Sequence, residues 1–129
     1  MASNERLYLA PEDLYRIGNG GSPLMSKFRP GELMTFDQNG VEMVIANGRG
    51  ISLYNKSGLD EAPLTGWVWE ITAGSHFPIG LQLIDDGNAD RPGHYTLAPS
   101  YNMSLSRYFS LLEEVALSAQ KVYKKVMRG

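Results

Sequence analysis

None of the 129 residues is cysteine. Disulfide staples, thiolate metal sites and cysteine nucleophiles are excluded at once, and the chain needs no oxidising compartment to fold. Burial of apolar surface must hold it together. A chain of this length fits one domain, residues 1–129, and not two; folding at that size buries roughly two-thirds of the surface exposed by the unfolded chain. The hydrophobic fraction is 43%, and 14 glycines with 7 prolines make the chain loop-rich without making it disordered. A net charge of -2 leaves no strong electrostatic footprint for nucleic acid. No run approaches the about 18 apolar residues that cross a bilayer. Met1 to Glu12 lacks the apolar run of a secretory signal peptide, so the expectation is that any export uses a machine that reads no such signal.

Short apolar runs bounded by turn residues predict a series of strands. Leu14–Ile17 is the first, followed by a mobile loop at Gly18-Asn19-Gly20-Gly21-Ser22-Pro23. Phe28-Arg29-Pro30-Gly31 marks a turn. Glu32–Phe36 suits a strand or a helical turn, and Val41–Ala46 is too short for periodicity to decide. Ile51–Tyr54 reads as a strand ended by a turn at Asn55–Gly58. Trp67, Trp69 and Ile71 alternate with Val68, Glu70 and Thr72, the two-residue period of a half-buried strand with both tryptophans in the core. Leu81–Ile84, closed by Asp85-Asp86-Gly87-Asn88, and His94–Leu97, closed by Pro99, complete the set.

The rest predicts one long C-terminal helix. Ser104 can cap it through its hydroxyl. Leu105, Tyr108, Phe109, Leu112, Val115, Ala116, Ala119, Val122, Tyr123 and Val126 then fall at three- and four-residue steps, a continuous apolar stripe. Lys121, Lys124, Lys125 and Arg128 crowd the end, where the helix dipole favours cations. Strands followed by this helix make the class α+β.

The residues able to carry chemistry are few: Arg16, Ser52, His94 and Tyr95, with Tyr15, Tyr54 and Arg49 beside them in sequence character. Each sits on or next to a predicted strand, and a sheet brings such distant positions to one cleft. Arg16 suits either a structural salt bridge or anion binding. Ser52 taken alone is an ordinary strand residue, and His94 suits a turn-orienting role as well as a catalytic one. His76, in a loop, reads as a surface histidine. Two histidines without suitably spaced carboxylates make no zinc site, so no metal is expected. Nucleophile-elbow, P-loop and zinc-protease motifs are missing. Gly18-Asn19-Gly20-Gly21 lacks the spacing and following helix of a dinucleotide fingerprint.

Several segments, in order, resemble the type VI secretion effector toxin family of the second type six exported effector. They are Gly50-Ile51-Ser52-Leu53-Tyr54-Asn55-Lys56-Ser57-Gly58; Phe77-Pro78-Ile79-Gly80-Leu81 with Asp85 after it; His94-Tyr95-Thr96-Leu97-Ala98-Pro99; and a basic, aromatic-bearing terminal helix. Leu14-Tyr15-Arg16 resembles the start of that family. The resemblance implies a compact ADP-ribosyltransferase-like fold, a split β-sheet core with NAD bound between two small sheets. It makes Arg16 the dinucleotide anchor, Ser52 the nicotinamide-pocket residue and His94 the late-strand polar group; beside them, an aromatic such as Tyr54 or Tyr95 can stack on the nicotinamide ring. It also implies a cytotoxic effector that acts inside a target cell and a cognate immunity protein in the producer; the expected location is the cytoplasm of producer and target cell, with a macromolecule as the expected acceptor of ADP-ribose.

The chemistry of those roles is coherent. An arginine fork matches the two phosphates of NAD. Breaking the nicotinamide–ribose bond leaves an oxocarbenium-like cation that a carboxylate stabilises. The last predicted strand has no glutamate; the next acids, Glu113 and Glu114, lie in the predicted helix. Ile51 stands where the family carries threonine. A non-catalytic interaction protein on the same fold, and an NAD glycohydrolase with water as acceptor, are therefore the alternatives.

Overall fold

The computed structural model describes residues 5–29 and 31–127, and the class is sheet-rich α+β. In chain order the elements are β1 (Glu5–Leu7), β2 (Leu14–Gly18), β3 (Thr35–Gln38), β4 (Val41–Val44), β5 (Ile51–Tyr54), α1 (Lys56–Glu61), β6 (Gly66–Ile71), β7 (Leu81–Asp85), β8 (His94–Pro99), β9 (Met103–Ser104), α2 (Leu105–Ser118) and β10 (Gln120–Lys125). They form two antiparallel sheets. One has seven strands in the order β1-β7-β8-β5-β2-β6-β10; the other has three, β3-β4-β9. No helix among the described residues is long and apolar enough to cross a membrane.

The large sheet is unevenly stitched. Strands β2 and β6 share five register pairs and β5 and β8 share four. Between β2 and β5 there is one, Tyr15 with Tyr54. The sheet therefore splays along a seam between β2 and β5, and backbone groups there need partners other than the ladder. The main core lies on one face: Leu14, Ile51, Leu53, Leu83 and Leu97 pack with Tyr108, Leu112 and Val115 of α2. Gly50 enters β5 so close to β8 that a Cβ would overlap the Leu97 carbonyl oxygen. That oxygen also accepts the Tyr108 hydroxyl at 2.7 Å.

The predicted strands over 14–17, 51–54, 81–84 and 94–97 are present, and both undecided runs contribute strands, β3 and β4. Three expectations are corrected. Asn55–Gly58 opens a helix, because the Asn55 side chain accepts the Gly58 N–H at 2.8 Å and caps α1. In β6 the buried side chains are Val68 and Ile71, while Trp67 and Trp69 are only half-buried. Both indoles border the glycine loop, which gives the polar edge of Trp69 its partner: the Trp69 Nε1–H donates to the Asn19 carbonyl at 2.8 Å.

The largest correction is at the C-terminus. Helix α2, capped by Ser104 as expected, has 14 residues and stops at Ser118. Ala119 is extended, and residues 120–125 form a strand on the edge of β6. Pairing with an open sheet edge overrides helix periodicity, and Val122 and Tyr123 suit a strand equally well. The lysines do not neutralise a helix dipole. Lys121 Nζ donates to the Gly20 carbonyl at 2.8 Å and lies over the Trp67 ring. Lys125 Nζ donates to the carbonyls of Ala62 and Leu64 at 2.8 and 2.6 Å. Arg128 and Pro30 fall outside the described residues.

On the face away from the main core, Tyr15 packs with Leu59 and Val68 and donates its hydroxyl to Glu70 at 3.0 Å. Burial, helped by that bond and the Glu70 charge, pushes the phenol up to about 12 from 10.0. The folded protein thus holds this proton longer than the unfolded chain. The stability contribution is complete below pH 10 and is lost as pH rises towards 12. Tyr15→Phe is expected to remove a phenolate phase near pH 12 from the absorbance titration, leaving the still later one of the more deeply buried Tyr108, and to flatten the loss of thermal stability between pH 10 and 12.

Candidate active site

A cavity of about 850 Å³ opens on the seam, within the roughly 300–1,000 Å³ span of small-molecule sites. Ser52 and Tyr54 of β5 and His94 and Thr96 of β8 form one wall. Period-2 alternation puts them there: Ile51 and Leu53 go to the core, so Ser52 and Tyr54 face the cavity. The register sets Ser52 opposite Thr96 and Tyr54 opposite His94. The Tyr54 and His94 rings meet edge-on, 5.2 Å apart.

His94 is buried and fully engaged. Its Nδ1 is 2.6 Å from Asp86 Oδ1, and its Nε2 is 2.9 Å from Ser52 Oγ. The other oxygen of Asp86 accepts the Thr96 hydroxyl at 2.6 Å. Burial alone would raise the Asp86 pKa; the bonds from His94 and Thr96 outweigh it and hold the carboxyl below the usual range. Asp86 is therefore an anion, the proton between it and the ring sits on Nδ1, and the Nε2 lone pair faces the cavity. Ser52, His94 and Asp86 form a hydrogen-bonded relay able to accept a proton from a group in the cleft.

Arg16 also lines the cavity, but its guanidinium is committed to the backbone. Nε bonds the carbonyls of Pro23 and Leu24, each at 3.1 Å; Nη2 bonds those of Leu24 at 2.8 Å and Lys27 at 3.2 Å. Nη1 reaches across the seam to the Ser52 carbonyl at 3.0 Å. Arg16 thus supplies the rung the strand ladder omits, and it pins Leu24, whose backbone is left-handed at φ 54. Burial pulls its pKa below the usual guanidinium value, partly offset by the charge of Glu32.

Of the residues singled out in the sequence, Arg16, Ser52, Tyr54, His94 and Arg49 line one cavity. Tyr95 does not. As the neighbour of His94 on β8 it points to the opposite face, into the core, where its hydroxyl donates to Glu12 at 2.6 Å. His76 is exposed, as expected of a loop histidine. Sequence reasoning missed Asp86, Glu32 and Arg91. Glu32, half-buried and lining the same cavity, accepts the Arg29 N–H at 2.5 Å. The cavity gathers five cationic side chains, Arg16, Lys27, Arg29, Arg49 and Arg91, against the carboxylates Glu32 and Asp86, in a chain of net charge -2. No cluster of His, Asp and Glu suited to a metal occurs among the described residues.

Fold and site together define a small α+β protein with an arginine-rich, anion-attracting cleft at a split in its main sheet. The sequence match is more specific. The model of the Tse2 ADP-ribosyltransferase toxin family covers residues 4–123, and the chain belongs to that family of type VI effectors. No curated protein and no solved structure matches the chain.

Proposed function

We propose that this chain is a toxin that cleaves the nicotinamide–ribose bond of NAD in the seam cavity and passes ADP-ribose to a macromolecule inside the target cell. The observation that carries the proposal is the meeting of Ser52, Tyr54 and His94 on one wall of a cationic cleft, in a member of an ADP-ribosyltransferase toxin family. In this reading Ser52 and Tyr54 hold the nicotinamide, the ring of Tyr54 by stacking. Arginines of the cleft meet the diphosphate. His94 takes the proton of the acceptor. Glu32, facing the cavity from a loop, supplies the carboxylate for the oxocarbenium-like transition state that no late strand provides. Arg16 contributes mainly by fixing the geometry of the seam, with little of its guanidinium left for phosphate. A producer of such a toxin needs a partner that blocks the cleft, which is the role of a cognate immunity protein.

The test is NAD labelled in the adenylate moiety, incubated with purified protein and a bacterial lysate. Nicotinamide release together with label on macromolecules is the expected result. Release with only free ADP-ribose makes the protein a glycohydrolase. Neither product removes the enzymatic proposal and leaves an interaction protein on this fold.

A further inference from the structure

His94 presents one lone pair to the cavity, at Nε2, and two donors compete for it. Ser52 Oγ is 2.9 Å away, while Arg91 Nη2 is 2.6 Å away and also 3.3 Å from Ser52 Oγ. A guanidinium stays protonated and has no acceptor atom, so Arg91 donates. A single lone pair on a planar ring nitrogen serves one donor well, and the charged, shorter contact is the stronger. With Arg91 there, His94 cannot take up a proton at Nε2. The lone pair is occupied, and a new N–H would face the N–H of a cation.

Arg91 is not held in that place by a counter-ion. Among the described residues it makes no salt bridge. It is exposed, on the β7–β8 connection, where the Asn88 side chain accepts the Arg91 backbone N–H at 3.0 Å and leaves the side chain free to swing. Its two acceptors, an imidazole and a hydroxyl, are neutral and weaker than a phosphate oxygen.

We propose that Arg91 is a displaceable cap on the His94 general base. It occupies Nε2 until a nucleotide diphosphate enters the cleft, then moves onto the phosphate oxygens and unmasks the lone pair. The acceptor's O–H or N–H proton then passes to Nε2 as its oxygen or nitrogen bonds the ribose carbon, whose C–N bond breaks so that neutral nicotinamide leaves with the electron pair. The imidazolium so formed keeps its Nδ1–H on the Asp86 carboxylate. This deepens the proposed function and rests on its assignment of the cleft to a dinucleotide. It adds order to the chemistry, since the base is exposed only after the diphosphate has bound.

The test uses inorganic pyrophosphate and the full chain labelled with ¹⁵N, reading the His94 ring nitrogens from long-range ¹H–¹⁵N correlations. Saturating pyrophosphate is expected to shift the Nε2 resonance of the wild type. Arg91→Ala should show a displaced Nε2 signal without any anion, fail to respond further, and bind pyrophosphate at least about tenfold more weakly, the loss of one charge-assisted contact. Arg91→Lys, which keeps the charge and loses the fork, should recover part of the affinity. Arg49→Gln removes a cation of the same cavity that contacts Gly31 and not His94; it should weaken binding and keep the His94 response. An Nε2 signal unmoved at saturation in the wild type, or wild-type affinity in Arg91→Ala, overturns the proposal. Failure of nicotinamide release with an intact pyrophosphate response would discard the enzymatic reading and leave the cap standing.

Discussion

His94→Ala is expected to lower nicotinamide release by about 10²–10⁴-fold, the usual worth of a positioned general base, and to abolish growth arrest when the protein is expressed in a bacterium. Folding should survive, provided the cavity left on the sheet face fills with water. Asp86→Asn isolates the electrostatic part of the relay. The amide is close to the carboxylate in size, but it can no longer hold an anion against Nδ1–H, so the ring loses its fixed tautomer and its partner charge. Activity between that of the wild type and His94→Ala is the expected pattern, with a lowered melting temperature at neutral pH, because a carboxyl held below its usual pKa by folding stabilises the fold as an anion. Nicotinamide release by both variants at the wild-type rate, at equal soluble protein levels, would show that the relay takes no part in the reaction.

Arg16→Ala is expected to act first on stability. Five hydrogen bonds from one cation to four carbonyls are lost, and oxygens placed to meet a charge lose it. Hydrogen bonds to charged groups are worth about 1.5–3 kcal/mol each, but these share one side chain, so a loss of about 3–5 kcal/mol is expected. Arg16→Lys should restore less than half of it, because an ammonium cannot span both the Leu24–Lys27 loop and Ser52. Urea denaturation reads both values. The alternative, an arginine whose main duty is gripping phosphate, predicts the opposite: near-native stability in Arg16→Ala with NAD cleavage lost.

How far the fold and site could be read in advance depended on which physical signal each part left in the chain. Strands bounded by glycine and asparagine were legible because alternation and turn chemistry are local. The end of α2 was not, because residues 119–126 satisfy a helical stripe and a strand equally, and the choice belongs to the unfilled edge of β6. Ser52 and His94 were found as polar residues on apolar strands. Their partner Asp86 was hidden in Asp85-Asp86-Gly87-Asn88, which a plain turn explains fully. Arg91 and Glu32 lie in loops whose approach to the cleft depends on long-range packing. Tyr95 is the instructive case: neighbours on a strand face opposite ways, so His94 and Tyr95 were never able to line one cleft together, and alternation alone was enough to say so.

The single register pair between β2 and β5 has a mechanical consequence. Two plates riveted at one point can tilt without tearing a seam of rungs. Across that joint the Arg16 guanidinium, bonded to the Ser52 carbonyl, stands in for the missing rungs, while the rows on either side keep five and four register pairs. In the proposed reaction a guest in the cleft would bear on that side-chain clamp and not on the ladders beside it.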